Sequence, residues 1–249
     1  MKVLALEFYK LRRKRIALMM TIFLTIELIW IFMSMSIYMS RNSGSVSWPS
    51  IIVMAASVNG LFLPVMCAIA VSRISDMEHK GNTWKLLIAT SVKRSQLYLA
   101  KYICANTVLL SYVLVQAVAI AGFGIINGFD GSLPLPLMVY FIGGAVLTNL
   151  AVTALQLWVS LAVKNQAFAL CLGMIGGFVG MTAGLFPAPI RRVFAWSYYS
   201  ELSPVGIVYT GPTVEYSFQY ASAGLLTGIW LMTIIFFAAG SIHVTRQQI

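Results

Sequence analysis

Charge is what this sequence has least of. Only 10% of its residues are Asp, Glu, Lys or Arg, whereas a soluble domain carries about 25%. That shortage excludes a water-facing surface over most of the chain, and a mean hydropathy of +0.86 makes lipid the expected solvent. Cysteine is nearly absent too. Cys67, Cys104 and Cys171 stand alone inside apolar stretches, with no CxxC spacing and no histidine nearby, so they read as small packing residues and support neither disulfides nor a metal site. Also missing are a GxxxxGK[ST] phosphate loop, an HExxH pair, a GxSxG elbow and a GxGxxG following a strand. His79 and His243 are far apart, each at the edge of an apolar run. No catalytic, cofactor-binding or metal-ligating set emerges. If this chain moves anything at the expense of ATP, another chain must bind the nucleotide and its Mg.

What the sequence does have is length in its apolar runs. About 20 apolar residues cross a hydrocarbon core of about 30 Å, and six such runs can be drawn: Ile16 to Tyr38, Ile51 to Val71, Tyr98 or Tyr102 to Asn127, Leu135 to Val163, Ala167 to Phe186, and Ala221 to His243. The expected fold is an all-α integral membrane protein, a single domain of six transmembrane helices over residues 1–249. The basic Lys10 to Arg15 before the first run resemble a signal peptide's start. However, the run exceeds the usual 7 to 15 residues and no small-x-small cleavage site follows, so it reads as a retained span.

Lys and Arg set the expected orientation. With the N-terminus in the cytoplasm, 14 of the 17 fall inside and only Arg41, Arg191 and Arg192 outside. Both termini are then cytoplasmic. The net charge of +10 is thereby explained by anionic lipid headgroups, and nucleic acid is not needed as a partner.

Three segments lie outside the spans. Residues 1–15 alternate Leu4, Phe8 and Leu11 with basic side chains at helical spacing, as an interfacial helix does. Residues 187–220 form a large outer loop broken by Pro187, Pro189, Pro204 and Pro212; its Trp196, Tyr198 and Tyr199 suit either an aromatic belt at the headgroups or a ligand-facing role. Residues 72–101 carry a charged cytoplasmic loop. There the second span is expected to continue as helix to Gly81, with Asn82 or Thr83 capping a short helix that exposes Trp84, Leu86 and Leu87 and keeps Lys85 wet. An apolar patch on such a knob requires a protein partner.

Within the spans two features stand out. Gly173, Gly176, Gly177, Gly180 and Gly184 give overlapping small-xxx-small registers, a seam where another backbone can approach. Glu27 lies eleven residues from each end of the first run, near the midplane, where a carboxylate costs about 2.5 to 3.5 kcal/mol on insertion scales. It either lines a path for cationic cargo or makes an interhelical hydrogen bond; Gln116, Asn149, Gln156 and Lys164 are the candidate partners.

The run Glu78-His-Lys-Gly81-Asn-Thr83-Trp84-Lys85-Leu86-Leu87, followed by Lys93-Arg94 and Tyr98-Leu-Ala-Lys101, resembles the first cytoplasmic loop of ABC-2 type permeases. It is especially similar to the E-x-x-x-G-T-W-K-x-L loop of lantibiotic-immunity exporters, the MutE/MutG-like group. It departs from them in one place: Ser91-Val92 precedes the basic pair where a proline is common. The resemblance implies a multi-pass subunit of the bacterial cell membrane, paired with a second, homologous permease and two copies of an ABC ATPase. Glu78, Gly81, Thr83, Trp84, Lys85, Leu86 and Leu87 would then form the ATPase-coupling contact. It also implies export of a cationic antimicrobial peptide from the producer's membrane. Another drug or lipid-linked cargo, and a non-transporting sensor or scaffold, are the alternatives.

Overall fold

The computed structural model describes residues 2–13, 15–41, 47–81, 93–163, 165–210 and 213–246. Among them, α1 (Lys2–Arg13) leads into α2 (Ile16–Arg41), α3 (Trp48–Gly81), α4 (Arg94–Ile126), α5 (Leu135–Ala162) and α6 (Gln166–Met181). The short helices α7 (Ala188–Arg191) and α8 (Tyr198–Glu201), strands β1 (Val205–Thr210) and β2 (Thr213–Phe218), and the long helix α9 (Ala223–Arg246) follow.

Five helices, α2, α3, α4, α5 and α9, are long and apolar enough to cross a membrane. The fifth expected run is shorter than drawn. At 16 residues α6 extends about 24 Å, and a 3₁₀ turn at Ala183–Leu185 takes over where the run was expected to continue.

Side-chain contacts fix which helix ends share a side. Trp48 at the start of α3 packs edge-on against Phe129 just beyond α4, and both rings lie against Gly124. At the opposite end, which we call the base, Tyr98 of α4 packs at a tilt against Phe237 and lies against Gly240 near the end of α9. Short connections complete the up-and-down course. Gly128 (φ 66°) and Gly131 (φ 82°) adopt the left-handed backbone that the α4–α5 turn requires and other residues resist. Asn165 caps α6 by accepting from the Ala167 amide at 3.0 Å.

The other helices surround α3. It packs on α2, α4, α5, α6 and α8, and 67% of its apolar stretch is buried, against 39% or less in the other four long helices. Its sequence explains this, because Ala55, Ala56, Gly60, Ala68 and Ala70 leave room for neighbouring backbones. Against it runs the glycine face of α6. A Cβ on Gly60 would lie 2.8 Å from the Gly180 backbone, and one on Gly177 would lie 2.6 Å from the Leu61 carbonyl oxygen. Gly173 faces Ala68 and Pro64, whereas Gly176 is covered by the Trp196 ring. Gly184 stands apart from this seam, with open space for 4 Å around its Cβ position. It lies in the 3₁₀ turn, where the helical register has ended.

The segment after α6 departs from an all-α expectation. β1 and β2 pair antiparallel from Val205↔Phe218 to Thr210↔Thr213. Val, Ile, Thr, Tyr and Phe dominate both strands, and such residues suit a pleated surface. Val205 is buried, and Tyr216 Oη lies 3.4 Å from Tyr38 Oη on α2, so the hairpin is fastened to the end of the bundle opposite the base.

Gly60→Leu and Gly184→Leu separate seam from turn. We expect the first to force α3 and α6 apart, lowering stability by at least about 1–3 kcal/mol, and the second to change thermal unfolding little. Unfolding of the purified protein, followed by tryptophan fluorescence, measures both.

Candidate functional site

The base is organised by one buried ion pair. Lys101 Nζ donates to Glu7 Oε2 at 3.0 Å, and both side chains are fully enclosed. The ammonium also donates to the Ile74 carbonyl at 3.3 Å, while Lys10 donates to Glu7 Oε1 at 2.8 Å. A buried charge is tolerated only when opposed and hydrogen-bonded, and here both partners meet that condition. Lys101 therefore ties together α1, the last turns of α3 and the first turns of α4, the two helices that flank residues 82–92. At the entry to α2, Arg15 has φ 52°, an unusual value for a non-glycine residue, which marks a sharp elbow after α1.

Glu7 also sets how α1 is turned. Leu4, Phe8 and Leu11 were expected together on a lipid-facing side; Phe8 is exposed, but Leu11 is buried beside Glu7 and Leu4 is half-buried. Leu6, Phe8 and Tyr9 are exposed. Satisfying the Lys101 ammonium draws Glu7 inward, and the exposed trio forms an apolar face on the other side of α1.

Nearer mid-bundle, polar side chains from four long helices and α8 form paired contacts. Tyr112 of α4 donates to Glu27 Oε2, and Glu27 is fully buried. Gln116, one turn further along α4, exchanges two hydrogen bonds with Asn59 of α3, at 2.7 and 3.2 Å. Cys67 Sγ lies 3.4 Å from Thr153 Oγ1, joining α3 to α5. Gln156, with its amide turned to suit its surroundings, donates to the Ala169 carbonyl at 3.2 Å and accepts from the Gly173 amide at 3.1 Å. Of the four partners expected for Glu27, Gln116 faces the carboxyl while also pairing with Asn59, and Asn149 and Gln156 bond elsewhere. Lys164 lies outside the described residues. Tyr112, which donates to Glu27 and was not among the four, is an apolar-looking residue in an apolar run.

The segment after α6 folds back into this region. Trp196, Tyr198 and Tyr199 are buried rather than spread along a headgroup layer. Tyr199 Oη donates to Asn149 Oδ1 at 2.6 Å. Burial holds the Tyr199 phenol well above its ordinary pKa, so it stays a donor. Glu201 pairs with Arg191 and, at 3.4 Å, with Arg192, closing the short helices on each other. This explains two of the three basic residues that the charge count leaves at this end.

An apolar groove of about 420 Å³ runs between α1, α2 and α4, lined by Leu11, Met20, Leu24 and Tyr112 among others. Because Tyr112 both lines the groove and donates to Glu27, the groove ends one hydrogen bond from that carboxyl. Glu78 and Gly81 belong to the last turns of α3, where side chains are outside the description; Thr83, Trp84, Lys85, Leu86 and Leu87 lie outside the described residues. Among the described residues no group of three or more metal-ligating side chains occurs.

The sequence pattern of the ABC-2 family transporter proteins matches residues 3–180, from α1 nearly to the end of α6. The chain belongs to the ABC-2 transporter family. It is thus a multi-pass permease component, of a class that is typically non-catalytic and works with an ATPase in a partner chain. A search of curated proteins returned no match. The matched region contains the Glu7–Lys101 pair and the helices that flank residues 82–92, and ends before the hairpin and α9.

Lys101→Met would leave Glu7 buried with half of its compensation gone. We expect a loss of roughly 3–5 kcal/mol in thermal or denaturant unfolding. The double variant Glu7→Leu/Lys101→Leu should recover most of that loss, because it removes both charges.

Proposed function

We propose that this permease is the membrane half of an ABC exporter that removes a lantibiotic or related cationic antimicrobial peptide from the producer's membrane. Two permease subunits, the second identical or homologous, assemble with two ATPase copies. In this reading the termini and the base face the cytoplasm, in keeping with the distribution of Lys and Arg. α6 completes a sixth crossing together with the turn that follows it.

The observation that carries the coupling part of this reading is the Lys101 junction. Residues 82–92 hold Thr83, Trp84, Lys85, Leu86 and Leu87, and the helices on both sides of them meet α1 at one buried ion pair. An ATPase that grips Trp84 and its apolar neighbours moves α3, α4 and α1 as a unit. Force applied at the loop then reaches the groove between α1, α2 and α4 without passing through a soft joint.

The cargo part rests on the sequence resemblance and on Glu27. A cationic peptide entering sideways from the membrane along the groove reaches Tyr112 first, and exchange of its hydrogen bond exposes the Glu27 carboxyl to the peptide's positive charge. Trp196, Tyr198 and Tyr199 wall the far side of the same polar region. The apolar lining of the groove also suits a lipid-linked cargo, which would not need the carboxylate.

Two experiments divide these parts. In complexes co-purified with the ATPase, Trp84→Ala should lower ATPase retention and peptide-stimulated hydrolysis by about tenfold or more, as loss of a central aromatic anchor does; unchanged retention and stimulation would refute the docking role. Glu27→Gln keeps the shape and the Tyr112 contact but removes the ionisable group. Peptide-stimulated hydrolysis should fall while assembly and thermal stability stay near wild type, and wild-type stimulation would make Glu27 a packing residue.

A further inference from the structure

The cleft between α4 and α5 is lined by residues that carry buried polar atoms the protein leaves unused. It encloses about 240 Å³ and is lined by Tyr102, Asn106, Thr107, Asn149 and apolar neighbours. Most of its hydrogen-bonding capacity is spent within the protein. Tyr102 Oη donates to the Leu150 carbonyl at 2.9 Å, Asn106 Nδ2 to the Tyr102 carbonyl at 2.9 Å, and Thr107 Oγ1 to the Ile103 carbonyl at 2.8 Å. Asn149 Oδ1 accepts from Tyr199. Two atoms are left over: Asn106 Oδ1, an acceptor, and Asn149 Nδ2, a donor, are both buried without a partner among the described residues. Asn149 itself is only 2% exposed.

An unpaired buried amide atom costs about 1–3 kcal/mol, and in lipid no bulk water is at hand to relieve it. The cleft opens between Ile103 and Leu110, which are exposed on the lipid-facing side of α4. Asn106 lies five residues past Lys101, about 7.5 Å along the helix, so the pair sits just inside the level of the interfacial α1.

We propose that this cleft binds the secondary amide group of a membrane-embedded molecule, whose carbonyl accepts from Asn149 Nδ2 and whose N–H donates to Asn106 Oδ1. One leftover donor and one leftover acceptor match an amide. An ester carbonyl satisfies Asn149 alone and leaves Asn106 unpaired, so the site discriminates against ordinary ester lipids. The amide can belong to an amide-linked lipid or to a hydrophobic peptide. Held next to Asn149, it also lies one residue from Tyr199, which links occupancy of the cleft to the outer segment.

The test uses the full chain in nanodiscs, without ATPase, so its failure leaves the coupling reading standing. Three photoactivatable probes with the same diazirine-bearing acyl chain are compared: an N-acyl amine, the corresponding ester, and an N-acyl capped dipeptide. Mass spectrometry maps the labelled peptides. The expected result is labelling of 102–110 and 146–150 by an amide probe at least about tenfold above the ester, the ratio that one lost hydrogen bond to a buried group produces. Whichever amide probe labels more strongly identifies the source, lipid or peptide. Asn106→Leu should bring the amide-to-ester ratio close to one while elution and helical content stay unchanged. Asn149→Leu provides the same readout from the other side of the cleft. Equal labelling by ester and amide in the wild type, labelling confined to other segments, or a preference retained in Asn106→Leu would overturn the proposal and leave a crevice that holds water.

Discussion

Everything at the base of this permease is arranged around keeping one ammonium and one carboxylate together away from water. The Glu7–Lys101 pair is costly to desolvate and costly to break, because either partner alone is a buried charge. That asymmetry makes it a fastener more than a source of net stability. It determines which side of α1 faces the bundle, holds the last turns of α3 through the Ile74 carbonyl, and sets the first turns of α4. An amphipathic helix without such a pin slides on a lipid surface. With it, α1 is part of the same body as the helices that flank residues 82–92.

The rest of the bundle is held by different means. In lipid, apolar side chains gain little by leaving their neighbours for one another, so close backbone packing and internal hydrogen bonds carry more of the association. The α3–α6 seam supplies the first, with Gly60, Gly177 and Gly180 bringing main chains into contact. The paired polar contacts of Glu27, Asn59, Gln116, Asn149 and Tyr199 supply the second. Each such bond contributes modestly, about 0.6 kcal/mol on average in a membrane, so the layer can rearrange. A permease needs that combination: a rigid seam around α3 beside a polar layer whose bonds exchange at low cost.

Much of this was legible in the sequence where a single physical rule acts locally. Hydrophobic run length located the five long helices, bounding α2, α5 and α9 to within a few residues while α3 and α4 extend further at the base, and the glycine spacing of α6 pointed to the face that meets α3. Glu27 stood out because a lone carboxylate in an apolar run has few solutions. Pairings between distant segments were hidden. Glu7 and Lys101 are 94 positions apart, and each looks like an ordinary interfacial charge until the fold brings them together. A signal was present in hindsight, since Glu7 is the sole acid among the basic residues of 1–15 and Lys101 stands among apolar residues between Tyr98 and Tyr102. Tyr112 escaped notice because a tyrosine within a span reads as apolar. The hairpin escaped because the aromatic residues around it were read for their affinity for headgroups, although β-branched residues are frequent through 205–214. Tertiary burial of Trp196, Tyr198 and Tyr199 overrode that affinity.

The central claim is that α1 and the foot of α4 move together when the ATPase closes. Spin labels at the exposed positions Leu6 and Leu99, and at Leu99 and Ile234 on α9, in a Cys171→Ser background, measure this by pulsed electron resonance in the assembled complex. The account predicts that the 6–99 distance is the same in nucleotide-free and ATP-bound states while the 99–234 distance changes. A 6–99 distance that shifts with nucleotide while 99–234 stays fixed would contradict it.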